Sequence, residues 1–133
     1  VIALWREAGL VRPWNDPQAD IARKAEVQAE LFVVAVDAHD TVIGAVMAGY
    51  DGHRGWMNYL ATAPTVRGQG VGRALVDHVV RELHARGCPK LNVQIRAGND
   101  AVVGFYAHLG FSVDETVSMG KRLIVDDRTP GVE

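Results

Sequence analysis

The stretch Arg67-Gly68-Gln69-Gly70-Val71-Gly72-Arg73 constrains this chain more than any other. Three glycines at alternate positions leave the backbone bare and free to take positive φ. Val71 to Arg86 then carries Val71, Leu75, Val79 and Leu83 at four-residue spacing, with Ala74 and Val80 broadening the stripe, so the turn opens an amphipathic helix. Unpaired N–H groups and the positive end of the helix dipole gather at such a start. With arginines on both sides, the turn reads as a cradle for phosphate, or else as an ordinary tight turn.

The known phosphate loops narrow the choice. A dinucleotide fingerprint needs G-x-G-x-x-G straight after a strand and an acid about 20 residues on. Here the spacing is G-x-G-x-G, Ala63-Pro64-Thr65-Val66 intervenes, and Gly87 to Asn92 offers no acid. A P-loop needs Gly-Lys-Ser or Gly-Lys-Thr, and neither is present. The pattern that fits is R/Q-x-x-G-x-G/A, met by Arg67, Gly70 and Gly72.

A length of 133 residues sets the prior at one domain, taken as residues 1–125 with a polar tail at 126–133. The apolar share of 48% is that of a globular chain. A net charge of −2 supplies no basic field for nucleic acid. No apolar run approaches the about 18 residues of a membrane span, and no signal peptide pattern is present. The single cysteine, Cys88, forms no internal disulfide, which suits a cytoplasmic location. Lying between Gly87 and Pro89 without an activating group, it is no nucleophile. The five histidines show no metal-ligand spacing, so no metal is expected.

Helical spacing covers Val1 to Ala8, with Gly9 as its stop. Asp16-Pro17 starts a second helix, expected to run to about Ala29 with Ile21, Ala25 and Val27 or Gln28 inward. Strands are expected over Leu31–Val36, Val42–Tyr50 and Trp56–Thr62, the last two joined by an Asp51-Gly52 hairpin. In the long helix, Asp77 with Arg81 and Glu82 with Arg86 form i,i+4 pairs. Leu91 to Arg96 alternates as a strand, Asn99 caps a short helix ending at Leu109, and Phe111–Asp114 and Glu115–Ile124 are expected as the last two strands. The order α-α-β-β-β-α-β-α-β-β is mixed α/β around one sheet.

Element order and two local motifs now coincide. After the glycine turn, Val93 to Phe111 presents a strand, Asn99, a short helix with Tyr106 seven residues later, and Leu109-Gly110-Phe111. Together these resemble the GNAT (GCN5-related N-acetyltransferase) superfamily over nearly the whole chain. Trp14-Asn15-Asp16-Pro17, Gly49 to Gly55 and Gly120-Lys121-Arg122-Leu123 resemble more closely its bacterial YpeA-like branch.

The resemblance implies the acyl-CoA N-acyltransferase fold: a central mixed sheet with two splayed parallel strands, flanked by helices. Its first edge strand would precede the first helix, so a chain starting at Val1 inside a helix is expected to lack it, either because residues ahead of Val1 are lost or because the sheet edge is left open. It implies transfer of acetyl from acetyl-CoA to a small-molecule or peptide amine by direct attack, in a monomer or homodimer. Backbone groups of Leu60, Ala61 and Thr62 would hold the pantetheine arm, with Asn99 beside it. Arg67, Gly68, Gln69, Gly70, Val71, Gly72 and Arg73 would hold the pyrophosphate. Tyr106 would protonate the thiolate, a task that suits a phenol because its pKa of about 10 lies near that of the thiol. The acceptor side would include Trp14, Tyr50, Asp51 and Trp56. Many family members place a glutamate on the strand before the glycine turn as general base; Trp56–Thr62 has none. His53 is the candidate carried forward, beside Asp51, Tyr59 and a relayed water.

Each assignment has a structural counterpart. Tyr106 beside Phe105 also fits plain core, Asn99 a helix cap, Arg67 and Arg73 solvated charge, and Trp14 and Trp56 core or rim anchors. Asp16 and Asp51 would attract a cationic acceptor and Arg54 an acidic one, so the acceptor's charge stays open. The competing functions are a non-catalytic acyl-CoA-binding module and a nucleotide-binding regulatory domain.

Overall fold

The computed structural model describes residues 1–124; the tail at 126–133 lies outside the described residues. Helices α1 (Ile2–Glu7) and α2 (Pro17–Ala25) precede three antiparallel strands, β1 (Phe32–Val36), β2 (Val42–Tyr50) and β3 (Gly55–Thr62). The long helix α3 (Val71–Ala85), a short strand β4 (Leu91–Val93) and helix α4 (Asp100–His108) follow. The sheet order is β1-β2-β3-β4, and only β4 runs parallel to its neighbour.

The sheet carries a core on each face. Val46, Ala48 and Met57 meet Val76, Val79 and Leu83 of α3, with Tyr106 of α4 in the same cluster. Ala45 and Ala61 meet Leu4 and Trp5 of α1. Alternation along β2 distributes its side chains between the two, as the period of a strand requires. Two glycines let α3 lie close. A Cβ on Gly44 would stand 2.9 Å from side-chain atoms of Leu75 and Val71, and one on Gly55 would stand 2.7 Å from Leu83. Packed that tightly, α3 brings its N-terminus up beside the end of β3.

Asp16 caps α2 as expected, its carboxylate accepting the Ala19 N–H at 3.1 Å, with Pro17 in the first turn. The helix ends at Ala25, however, short of Ala29. Gln28 takes a left-handed backbone (φ 52°), and its side-chain amide binds both backbone groups of Tyr50, each at 2.8 Å. Closing the helix early for this clamp turns Ala25 and Val27 outward, Val27 to 61% exposure, and buries Lys24 in their place. Burial pushes the Lys24 ammonium pKa down.

Four further expectations are corrected. Strand β4 stops at Val93 instead of Arg96, because β3 pairs with it only over Gly55–Met57. Phe111–Asp114 and Glu115–Ile124 form no strands: they find no ladder partner among the described residues. Lys90 Nζ to Asp114 at 2.9 Å and Gln94 Nε2 to Ser118 Oγ at 2.6 Å tie 114–118 alongside 90–94 by side chains. Asp77 pairs with Arg73 at 3.8 Å, not with Arg81, whereas Glu82 does meet Arg86 at 3.9 Å.

The Gln28 clamp is separable from the rest of the core. Gln28→Ala should cost about 1–3 kcal/mol, read as a lower urea midpoint with unchanged slope.

Candidate active site at the parting of two parallel strands

Strands β3 and β4 share three pairs, Gly55↔Leu91, Trp56↔Asn92 and Met57↔Val93, and then separate. The cause lies in β3. Opposite it, β2 advances one residue from Met47 to Ala45 past Val46, while β3 passes two, Tyr59 and Leu60, between Asn58 and Ala61. This β-bulge bends the strand and reverses its facing. Met57 packs into the α3 face, yet Tyr59, two residues later, packs into the α1 face. Tyr59 sits at φ 56°, a left-handed conformation that costs a bulky residue of order 1–3 kcal/mol.

Its side chain offsets that cost. The Tyr59 ring stacks on the fully buried Trp5 indole at 4.1 Å and 13°, with Phe32 on Trp5 as well, at 6.0 Å. Its hydroxyl accepts from Asn15 Nδ2 at 2.7 Å and donates to the Asp20 carboxylate. Asn15 in turn accepts the Arg12 N–H at 2.7 Å, so the α1–α2 connector is fastened to the bulge. The sequence alone offers Tyr59 only as a base candidate. A non-glycine positive φ leaves no mark in a sequence, and Asn15 and Asp20 lie 44 and 39 residues away.

Past the bulge, the edge of β3 facing β4 carries no ladder over Asn58–Thr62, so the Leu60, Ala61 and Thr62 backbone on that side is open. A short 3₁₀ turn, Pro64–Val66, leads into the glycine segment. Gly68 and Gly70 both take left-handed φ, 81° and 82°, and a Cβ on either would meet nothing within 4 Å. Helix α3 has no side-chain cap, and its first helical bond is Ala74 N–H to Gly70 O at 2.9 Å. The amides of Val71, Gly72 and Arg73 therefore face outward at the positive end of the dipole. Phe105 of α4 closes on Gly72, where a Cβ would stand 3.4 Å from its ring. An amide row with open space before it, flanked by Arg67 and Arg73, suits a phosphate group.

Tyr106 is buried to 7% exposure and set edge-on between Phe105 and Phe111 at 5.1 and 5.2 Å. Burial pushes its phenol pKa up to about 12. It is a core residue and a protonated phenol at once. Asn99 caps α4, accepting the Val102 N–H at 3.4 Å.

The acceptor-side residues divide. A cleft of about 1600 Å³ runs beside β4, with Trp14, His53, Trp56, Asn58 and Asn99 in its wall. Trp14 lies under the Arg96 guanidinium at 4.6 Å. Tyr50 and Asp51 are not in that wall. Asp51 is spent on its turn, accepting the Arg54 and His53 amides at 2.7 and 2.8 Å, which hold its carboxyl below the usual range. His53 stands at the hairpin tip, seven residues before Leu60, about 20 Å along an extended strand. Leu60–Arg73 and Tyr106 are also outside the cleft wall.

The chain belongs to the acetyltransferase (GNAT) family, whose pattern it matches over residues 2–111. It is 51% identical to an acetyltransferase of Yersinia pestis (strain Pestoides F) over 126 residues, covering 95% of this chain and 89% of that one. Among solved structures it resembles Ard1 from Thermoplasma volcanium, with TM-score 0.73, 23% identity, and coverage of 84% of this chain and 76% of the other. It likewise resembles Naa20 from Chaetomium thermophilum in complex with a bisubstrate analogue, with TM-score 0.67, 22% identity, and coverage of 77% and 62%. The chain is an N-acetyltransferase that moves an acetyl group to an amine. Members of the family generally take that group from acetyl-CoA. Among the described residues, no helix is long and apolar enough to cross a membrane, and no cluster of metal-ligating side chains occurs.

The raised Tyr106 pKa has a measurable consequence. Between pH 10 and 12 the unfolded chain gives up this proton while the folded chain keeps it, so stability falls as pH rises through that window. The loss should be on the order of 2–3 kcal/mol. Tyr106→Phe should lack that component, read as a smaller difference between urea denaturations at the two ends of the window.

Proposed function

We propose that the parting of β3 and β4 takes the pantetheine arm of acetyl-CoA and that the α3 N-terminus takes its diphosphate. The observation that carries this reading is the ladder that stops after three pairs, on the strand that leads through the 3₁₀ turn and the glycine segment into an uncapped helix start. Acetyl-CoA supplies the acetyl group as a thioester. The open backbone of Leu60, Ala61 and Thr62 binds the arm and orients the thioester carbonyl, with Asn99 on the other side of the gap. The amides of Val71, Gly72 and Arg73, with Gly68, Gly70 and Arg67 alongside, fix the phosphates as charge-assisted hydrogen bonds do, while the Gln69 N–H is held by the Val66 carbonyl at 3.1 Å. Tyr106 gives its phenolic proton to the departing thiolate, although burial holds the phenol pKa at about 12 and so above the value of about 10 that would match the thiol.

The amine attacks the carbonyl directly, so no covalent enzyme intermediate forms. Its surplus proton leaves through water relayed along backbone groups. His53, at the far end of β3, serves the outer part of the acceptor and not the thioester. Trp14 and Trp56 wall the acceptor's cleft. Protonating the thiolate from the α3–α4 face leaves the α1–α2 face for the amine, where the connector is fastened to the bulge.

Calorimetric titration with acetyl-CoA, ATP and NAD should show binding of acetyl-CoA alone. Gly70→Asn tolerates the left-handed backbone yet projects a side chain into the phosphate space. It should keep the melting temperature within a few degrees and weaken acetyl-CoA at least about tenfold, the scale of one lost charge-assisted contact. Unchanged affinity would remove the cradle. Tyr106→Phe should lower kcat by about 10²-fold or more with acetyl-CoA affinity retained. Equal loss in both would assign Tyr106 to packing alone.

A further inference from the structure

The sequence left the acceptor's charge open, with Asp16 and Asp51 on one side of the argument and Arg54 on the other. The structure removes both acids from the contest. Asp16 is bound to the Ala19 amide and Asp51 to the amides of its own turn, and neither stands in the cleft wall. Among the described residues that wall holds Arg12, Arg54, Lys90 and Arg96, with a single acid, Asp114, already paired to Lys90 at 2.9 Å. The chain as a whole carries a net charge of −2, so the cleft is opposite in sign to the molecule around it.

Two of the cations are placed for recognition as well as for field. The Arg96 guanidinium carbon lies over the Trp14 ring, 4.6 Å from its centroid, a cation–π contact that restrains the side chain. Arg96 also neighbours the reaction gap: its carbonyl accepts the Asn99 N–H at 3.1 Å, and Asn99 lines the same cleft. Arg12 shares the connector with Trp14 and is fixed through its backbone N–H to Asn15. Neither guanidinium has a carboxylate within salt-bridge distance among the described residues. Guanidinium groups are the donors that recognise carboxylate and phosphate with paired hydrogen bonds, and this wall holds two, Arg12 and Arg96, without a carboxylate partner among the described residues.

We propose that the acceptor amine carries an anionic group, a carboxylate or a phosphate, that Arg96 and Arg12 hold in this cleft while the amine reaches the parted strands. Lys90 and Arg54 extend the field and steer such an acceptor in. The proposal rests on the acetyl-CoA reading above, and the test separates the two.

Acetyl-CoA binding is measured first by calorimetry; its absence would overturn the underlying reading. Thiol release from saturating acetyl-CoA is then followed with two matched pairs, ethanolamine against O-phosphoethanolamine and propylamine against β-alanine. In at least one pair the anionic member should show kcat/KM at least about tenfold higher, an advantage that shrinks as salt is raised. Which pair responds distinguishes phosphate from carboxylate. Arg96→Gln should raise KM for that amine about tenfold while kcat at saturation and acetyl-CoA affinity hold. Bound acetyl-CoA with equal use of both members of each pair, or use of none, overturns the anionic acceptor. So does an Arg96→Gln variant that loses kcat and KM together.

Discussion

The stack of Trp5 on Tyr59 is the contact on which the rest of the molecule turns. It holds a bulky side chain at positive φ in the middle of a strand, and that one residue re-aims β3. Without the bulge, β3 and β4 would continue as an ordinary parallel pair, and their backbone groups would satisfy one another. With it, the ladder ends at Met57↔Val93 and a row of peptide groups is left for something else to bind. The hydroxyl bonds to Asn15 and Asp20 then make the bulge and the α1–α2 connector one unit. An error in the position of α1 would therefore reach the parted strands through the Trp5–Tyr59 stack and the packing of Leu4 and Trp5 on Ala61.

The glycines at Gly44 and Gly55 complete the arrangement from the other face. They let α3 settle against the sheet, which sets its N-terminal amides at the end of β3 instead of above it. Phosphate cradle and strand gap are thus adjacent for a packing reason, independent of any ligand. Tyr106 belongs to the same packed face. Its burial and its protonated state have one origin, since the apolar surroundings that make it core also withhold the charge of the phenolate.

How far this was legible in the sequence follows from what each element depends on. Strands β1 to β3, α3 and the two caps at Asp16 and Asn99 rest on local periodicity and local hydrogen bonds, and they stand within a few residues of expectation. The glycine turn was legible because positive φ at Gly68 and Gly70 is what glycine is for. What could not be read depends on distant partners. The end of α2 is set by the Tyr50 backbone, which Gln28 reaches across 22 residues. Leu91–Arg96 and 111–124 alternate like strands, but a strand needs a ladder, and alternation does not supply one. The cleft's charge was illegible for the same reason: acids near it in sequence are consumed by turns and caps, while the arginines gather from separate segments.

Gln28 has a meaning beyond stability. Strand β2 outruns β1, whose pairing reaches only Met47, and leaves Ala48 to Tyr50 as a short stretch of unpaired edge. Bare edges recruit other chains into shared sheets. One amide side chain, bonded to both backbone groups of Tyr50, occupies that edge with the donor and acceptor a foreign strand would have used. The residue that cuts α2 short thus also closes the stretch where β2, the inner strand of the hairpin, runs past its partner.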